Sequence, residues 1–310
     1  MYYSDIVKTI RIFIVFFILV NFGAFAIEKT GFRLNDGLDV NSHVLREYVF
    51  DDDYTLSRLD YNAWFFPALE LEGGAEFYHA VLNGKLISGF PVSCGTLEDF
   101  DWCDMNNVRT PGYAAMYSKH NLVMRNFFQA NVETGYKFNI GSVNILPEVG
   151  FFYRLLKYEA VDGKGKYEVV DSNGKVVNSI EQTFNGTTLT YEHETSALYI
   201  KLRSDYSFLN DFTVGLYGSY SPYLWAKAID SHYVRNKMFK DRMEGGFGIM
   251  VGVDFQWKKL LAFFEYEYEQ MYQGKSTSDY LGLGSSGNTT LKTKSGFDSS
   301  LFRIGLQFHF

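Results

Sequence analysis

The chain has 310 residues and a formal net charge of −7, with 29 Lys and Arg against 36 Asp and Glu. That balance argues against a surface built to grip nucleic-acid phosphates, and 2 cysteines are too few for a disulfide scaffold. Aromatic residues make up 18% of the chain, beside 28 Gly and only 5 Pro.

The first predicted element is a leader. Lys8 and Arg11 precede an apolar run, Ile12 to Val20, and then Ala24-Phe25-Ala26. A basic start, a short apolar core and an A-x-A site form the pattern of a secretory signal. Residues 1–26 are expected to be removed, leaving 27–310 as one domain. The apolar run is shorter than the roughly 20 residues of a membrane helix, and no later run is long enough either. Export, aromatic and Gly content and the lack of a helical span together predict an outer-membrane β-barrel.

Alternation with period 2 marks its strands. Leu198, Ile200 and Leu202 oppose Lys201, Arg203 and Asp205. Phe212, Val214, Leu216 and Tyr220 oppose Thr213, Tyr217 and Ser219. Leu260, Ala262, Phe264, Tyr266 and Tyr268 oppose Glu265, Glu267 and Glu269. The last strand sets Phe302, Ile304, Leu306, Phe308 and Phe310 against Arg303, Gly305, Gln307 and His309. A charge in hydrocarbon costs about 2–4 kcal/mol at the midplane for the worst residues. The charged rows therefore face a wet interior, where opposite signs on different strands can pair and plug the lumen.

Counting such segments predicts ten antiparallel strands near 41–51, 54–69, 73–91, 121–139, 143–160, 187–207, 212–228, 243–257, 260–273 and 296–310. Several exceed the roughly 9–11 residues a tilted strand needs to cross hydrocarbon. The all-β, ten-stranded transmembrane barrel is thus expected to extend above the outer leaflet. Short turns fall at 139–142, 208–211 and 258–259, on the periplasmic side. Long extracellular loops are expected at 92–120, 161–186, 229–242 and 274–295, the second of them without chemistry.

Two of these loops carry pairs of polar residues two apart, one Asp/Asp and one Asp/His. In extended backbone, side chains two apart point the same way, so Asp99 and Asp101 share a face, with Phe100 turned away. Asp230 and His232 have the same spacing. The third strand leads into the first pair and the seventh into the second, so both emerge on one side and face each other across the mouth. His232 then suits a general base, with Asp230 orienting it. Asp99 and Asp101 suit a pair that shares a proton and holds water or polarises a carbonyl. Cys103 alternates away from the two aspartates and is not expected to be a nucleophile. Cys94 and Cys103 flank the stretch, as a loop-pinning disulfide or as two thiols. No metal cluster is expected, and His43, His79, His120 and His193 read as structural or solvated.

At these residues the sequence resembles the omptin family, outer-membrane proteases of Gram-negative bacteria. That family carries Asp-x-Asp-Trp-x-Asp in one loop, matched by Asp99-Phe100-Asp101-Trp102-Cys103-Asp104, and Asp-x-His-Tyr in another, matched by Asp230-Ser231-His232-Tyr233. The resemblance spans roughly the whole mature chain. It implies a vase-shaped barrel and an aspartic-type endopeptidase at its mouth, acting on polypeptides with no cofactor, as a monomer. It also implies cleavage beside basic residues, taken by an acidic substrate pocket containing Glu47, and activation by lipopolysaccharide held on the outer wall at Lys157. Two family positions depart: the pocket acid two before Asp230 is Ala228, and a second basic position near Glu194 is not basic. The rival expectation is a barrel of the same build that only binds host surfaces, as an adhesin or invasin.

Overall fold

The computed structural model describes residues 30–51, 54–102, 116–171, 176–208, 211–234, 236–271, 278–282, 288–291 and 294–309. The expected leader lies outside them. The strands are β1 (Thr30–Asp51), β2 (Tyr54–Phe77), β3 (Ala80–Gly89), β4 (Val92–Asp101), β5 (Met116–Tyr136), β6 (Phe138–Ile140), β7 (Val143–Val170) and β8 (Val176–Phe208). They continue as β9 (Phe212–Ser221), β10 (Leu224–His232), β11 (Lys237–Gly245), β12 (Phe247–Trp257), β13 (Leu260–Met271), β14 (Ser278–Gly282), β15 (Asn288–Leu291) and β16 (Lys294–His309).

Ten of them close a ring in the order β1-β2-β3-β5-β7-β8-β9-β12-β13-β16, with β16 returning to β1. Every pairing is antiparallel. The strands β4, β10 and β11 carry β3, β9 and β12 upward after short breaks. Pro91 and Pro222, which lack an N–H, mark two of the breaks. The third is Gly246, at φ +74°, where a Cβ would sit 2.1 Å from the Gln270 carbonyl oxygen, so only glycine fits.

The alternation in the sequence sorts the two faces. Leu198, Ile200 and Leu202 are exposed outward, as are Ile304, Leu306 and Phe308. Exposed apolar residues on the outer face form the lipid-facing band. Higher on the wall the outer face turns to ion pairs, such as Arg58–Asp60 at 2.9 Å and Lys119–Glu98 at 2.7 Å.

Inside, opposite charges plug the lumen. Arg303 bonds Asp39 at 2.8 Å and Glu265 at 2.6 Å, and also pairs with Glu70. Arg154 bonds Glu269 at 3.0 Å and pairs with Glu267, and Lys201 bonds Glu133 at 2.8 Å. Buried charges of this kind persist only when paired. A polar cavity of about 240 Å³ lies in the lower lumen, with His309 in its lining.

Strand boundaries differ from the sequence expectation in a consistent direction. The first strand begins at Thr30, eleven residues earlier than the expected residue 41, because 35–40 pair with both β16 and β2. The break expected at 70–72 is absent, and β2 runs through Gly73 and Gly74 to a turn at Tyr78–His79. Gly74 leaves room for lumen side chains: a Cβ there would lie 2.7 Å from Asn83 Oδ1 and 2.8 Å from Arg33 Nε. Three expected loops are largely strand. The third strand reaches Asp101, β7 and β8 run to Val170 and from Val176, and β10 includes His232. Above the membrane both faces of a wall tolerate polar residues, so hydropathy alone ends these strands too soon.

Candidate active site

Asp99 lies on β4 and pairs in register with Leu59 on β2 and Ser118 on β5. It is buried and faces inward, with half-buried Asp101 two residues on. Phe100 turns outward, as expected: the Arg58 guanidinium sits 4.6 Å above its ring, and Tyr117 packs 5.0 Å away. Asp230 and His232 end β10, where they pair in register with Tyr191 and Leu189 on β8. Both are buried, and Asp230 Oδ2 accepts from His232 Nε2 at 2.5 Å. Phe239 meets the imidazole edge-on at 5.5 Å.

Tyrosines connect the two walls. Tyr61 stands one inward step below Leu59, and its ring stacks on Tyr191 at 4.5 Å. Tyr191 in turn bonds His193 Nδ1 at 2.9 Å, and Tyr61 stacks on Tyr158 at 5.5 Å. Burial first, then Asp230, Glu47, Tyr191 and Asp99, push the Tyr61 hydroxyl well above its ordinary pKa. One hydroxyl thus lies in the fields of aspartates from both walls. Burial pushes His193 down to about 3, with Arg154 below adding to the effect. The floor under the mouth is therefore neutral and aromatic, with the ion-paired plug beneath it.

Glu47 faces inward on β1, beside Leu59 and Phe297, and is 2% exposed. Burial first, then Asp241 and Asp230, hold its carboxyl well above the ordinary carboxylate range, and Tyr191 opposes them. Lys157 is on the outer wall, its Nζ 2.5 Å from Glu192. The neighbouring Arg125 pairs with Glu159. Cys94 is a buried thiol 3.6 Å from the Leu122 carbonyl, and Cys103 lies outside the described residues. Among the described residues no His, Cys, Asp and Glu group has the geometry of a metal site.

Sequence reading missed two inward groups. His120 is not in a loop but on β5, where its Nδ1 bonds the Asp162 carbonyl at 2.5 Å and its Nε2 bonds Ser118 Oγ at 2.9 Å. Asp162 belongs to the segment 161–186, expected to be a loop without chemistry. Burial chiefly lowers the His120 pKa, and nearby His232 lowers it further. Asp241, on β11, is the second. The same alternation that marks the other strands puts Asp241 and Met243 on one face and Arg242 and Glu244 on the other; taking 229–242 as a loop hid it.

The class these features define is a closed ten-stranded outer-membrane barrel with its polar site at the extracellular mouth. The sequence matches the omptin family over residues 29–310, so the chain belongs to that family of outer-membrane proteases. Its structure is similar to the crystal structure of the outer membrane protease OmpT from Escherichia coli. The TM-score is 0.75 at 15% identity, covering 91% of this chain and 99% of that one. The outer membrane protein OprG from Pseudomonas aeruginosa gives 0.34 at 10% identity, over 88% and 96%. A search of curated protein sequences returns no match. The protein is an outer-membrane protease whose site faces the medium.

Proposed function

We propose that this barrel is an aspartic-type endopeptidase whose nucleophile is water, activated between Asp230–His232 on one wall and Asp99–Asp101 on the other. The observation that carries the reading is the buried 2.5 Å bond between Asp230 and His232, which faces the same interior as Asp99. Asp230 holds the imidazole through Nε2, so the proton from water goes to Nδ1. The imidazolium that forms is stabilised by Asp230. Asp99 and Asp101 share one proton, since neighbouring carboxylates resist double ionisation. Together they hold the water and polarise the scissile carbonyl or its oxyanion. Glu47 lines the substrate pocket.

Lipopolysaccharide is proposed to act on the outer wall around Lys157, whose ammonium stands above the apolar band. A mixed peptide library incubated with the purified barrel and read by mass spectrometry tests the activity. Defined cleavage by the parent, lost in His232→Ala and Asp99→Ala variants that still resist SDS, is expected. No cleavage in lipopolysaccharide-containing membranes would instead favour a binding barrel.

A further inference from the structure

The sheet that carries Asp230 and His232 rises well above them on one strand only. His232 ends β10 in register with Leu189 on β8, and the Tyr233 N–H still donates to the Thr188 carbonyl at 3.0 Å. There β10 gives way to a turn, closed by the Asn236 N–H on the Tyr233 carbonyl at 3.2 Å. On β8, Gly186 at φ +75° marks a bulge, its N–H bonded to Asp162 Oδ1 at 2.8 Å. Above the bulge, residues 176–185 stay paired with β7, from Phe184 opposite Gly163 to Val176 opposite Val170. Among the described residues no strand pairs with their other edge. Residues 176–185 span about 30 Å of strand, with a row of backbone N–H and C=O groups turned to water.

Open edges are normally blunted by lysine, proline or several charges. Residues 176–185 read Val-Val-Asn-Ser-Ile-Glu-Gln-Thr-Phe-Asn, with Glu181 as the one charge and no proline or lysine. Phe184 fixes their orientation. It is buried, its ring 5.1 Å from that of inward-facing His120. Gln182 and Ile180 share its face by alternation, and Ile180 is 48% exposed. Beside Ile180 stands Tyr167 on β7, and beside Tyr167 stands Met116 on β5. Met116 in turn lies in register with Asp101. An apolar panel therefore leads from the Asp101 wall to the bare edge of β8, above the mouth. A protease mouth receives extended polypeptide, and extended polypeptide is what an open strand edge accepts.

We propose that the upper edge of β8, residues 176–185, takes a stretch of substrate as an added β-strand, several residues to one side of the cleaved bond. This rests on the mouth being an endopeptidase site. The added strand continues the column of β10, so its lower end arrives directly over His232. Its backbone supplies the hydrogen bonds, and Ile180 and Tyr167 cover its apolar side chains. The edge thus selects for a segment free to extend, not for a particular residue.

Fluorogenic peptides given to the whole barrel in lipid test it. A short peptide is extended by eight residues of alternating threonine and valine, first on one side of the bond and then on the other. One of the two extensions should raise kcat/KM about tenfold or more, mainly through KM, since each backbone bond contributes about a few-fold. In an added strand only alternate N–H groups face the neighbour. N-methylation of one alternate set should therefore abolish the gain, and methylation of the other set should change it less than about twofold. Equal effects of the two sets, or no gain from either extension, overturn the proposal. Ile180→Lys puts a charge beneath the added strand. It should remove most of the gain and leave the short peptide unchanged; an undiminished gain or an equal loss on both peptides overturns the proposal. Binding separates it from the catalytic reading. The labelled threonine–valine segment alone is titrated into the His232→Ala barrel and read by fluorescence anisotropy. Saturable binding, lost on methylation of one set only, supports the edge even if no peptide is cut. Absence of binding overturns the proposal, and pairwise cross-linking of Ser179→Cys barrels would then assign the edge to a second copy.

Discussion

Removing Arg154 tests how the plug supports the mouth. Its guanidinium is 1% exposed. Nε donates to Gln129 at 2.9 Å, one terminal nitrogen to Glu269 at 3.0 Å, and the other to Glu267. Replacement by Met keeps the volume and leaves two buried glutamates without their cation. Breaking a buried pair from one side costs about 3–5 kcal/mol, most of it the stranded charge. If that origin is right, Arg154→Met with Glu267→Gln and Glu269→Gln recovers most of the loss, since no charge is left stranded. The assay is urea unfolding of the barrel in lipid, followed by tryptophan fluorescence and by migration on SDS gels. The expected order is parent, then triple variant, then a single variant about 3–5 kcal/mol below the parent. A single variant within about 1 kcal/mol of the parent, the range of an exposed pair, would refute the reasoning. A triple variant no better than the single would do so too.

Other outcomes follow from particular residues. Glu47 has a raised pKa in the fold, so its favourable contribution is complete below its ordinary value of 4.5 and is lost as pH rises through the folded value. Glu47→Gln should therefore match the parent in heat resistance near pH 4 and exceed it near pH 8; an equal gap at both pH values contradicts this. Gly246→Ala puts a Cβ against Gln270 at φ +74° and should lower the unfolding midpoint; an unchanged midpoint would show that β11 need not leave the ring there. Lys157→Ala should weaken the response of peptide hydrolysis to added lipopolysaccharide while leaving SDS resistance intact. An unchanged response would move the lipid contact elsewhere.

The barrel was legible because lipid enforces a rule on every crossing strand. One face must be apolar, so Leu198, Ile200 and Leu202 or Phe302, Ile304 and Leu306 announce their orientation. Higher up that rule lapses. Arg58, Glu98, Lys119 and Glu192 stand on the outer wall in ion pairs, and a strand with charges on both faces looks like a loop. For this reason β4, β10 and β11 were read short. The candidate residues Asp99 and Asp230 were still found, because i,i+2 spacing fixes a shared face whether or not the strand is recognised. Asp241 and His120 are not, since both fall in stretches whose charged and polar neighbours read as loop, although Asp241 alternates with Met243 and His120 with Leu122 once the strand is recognised. The tyrosine floor is a product of closure: Tyr158 and Tyr191 are register partners on β7 and β8, and Tyr61 from β2 stacks on both from across the lumen.

Whether the two walls act on one water is tested by a double-variant cycle on peptide hydrolysis in lipopolysaccharide-containing membranes. His232→Ala and Asp99→Ala should each lower kcat/KM by about 10²–10⁴-fold, as loss of a positioned acid or base does. Because both serve the same molecule, the double variant should fall no further than the worse single one. Losses that multiply, or a variant that cuts as fast as the parent, would contradict a shared site.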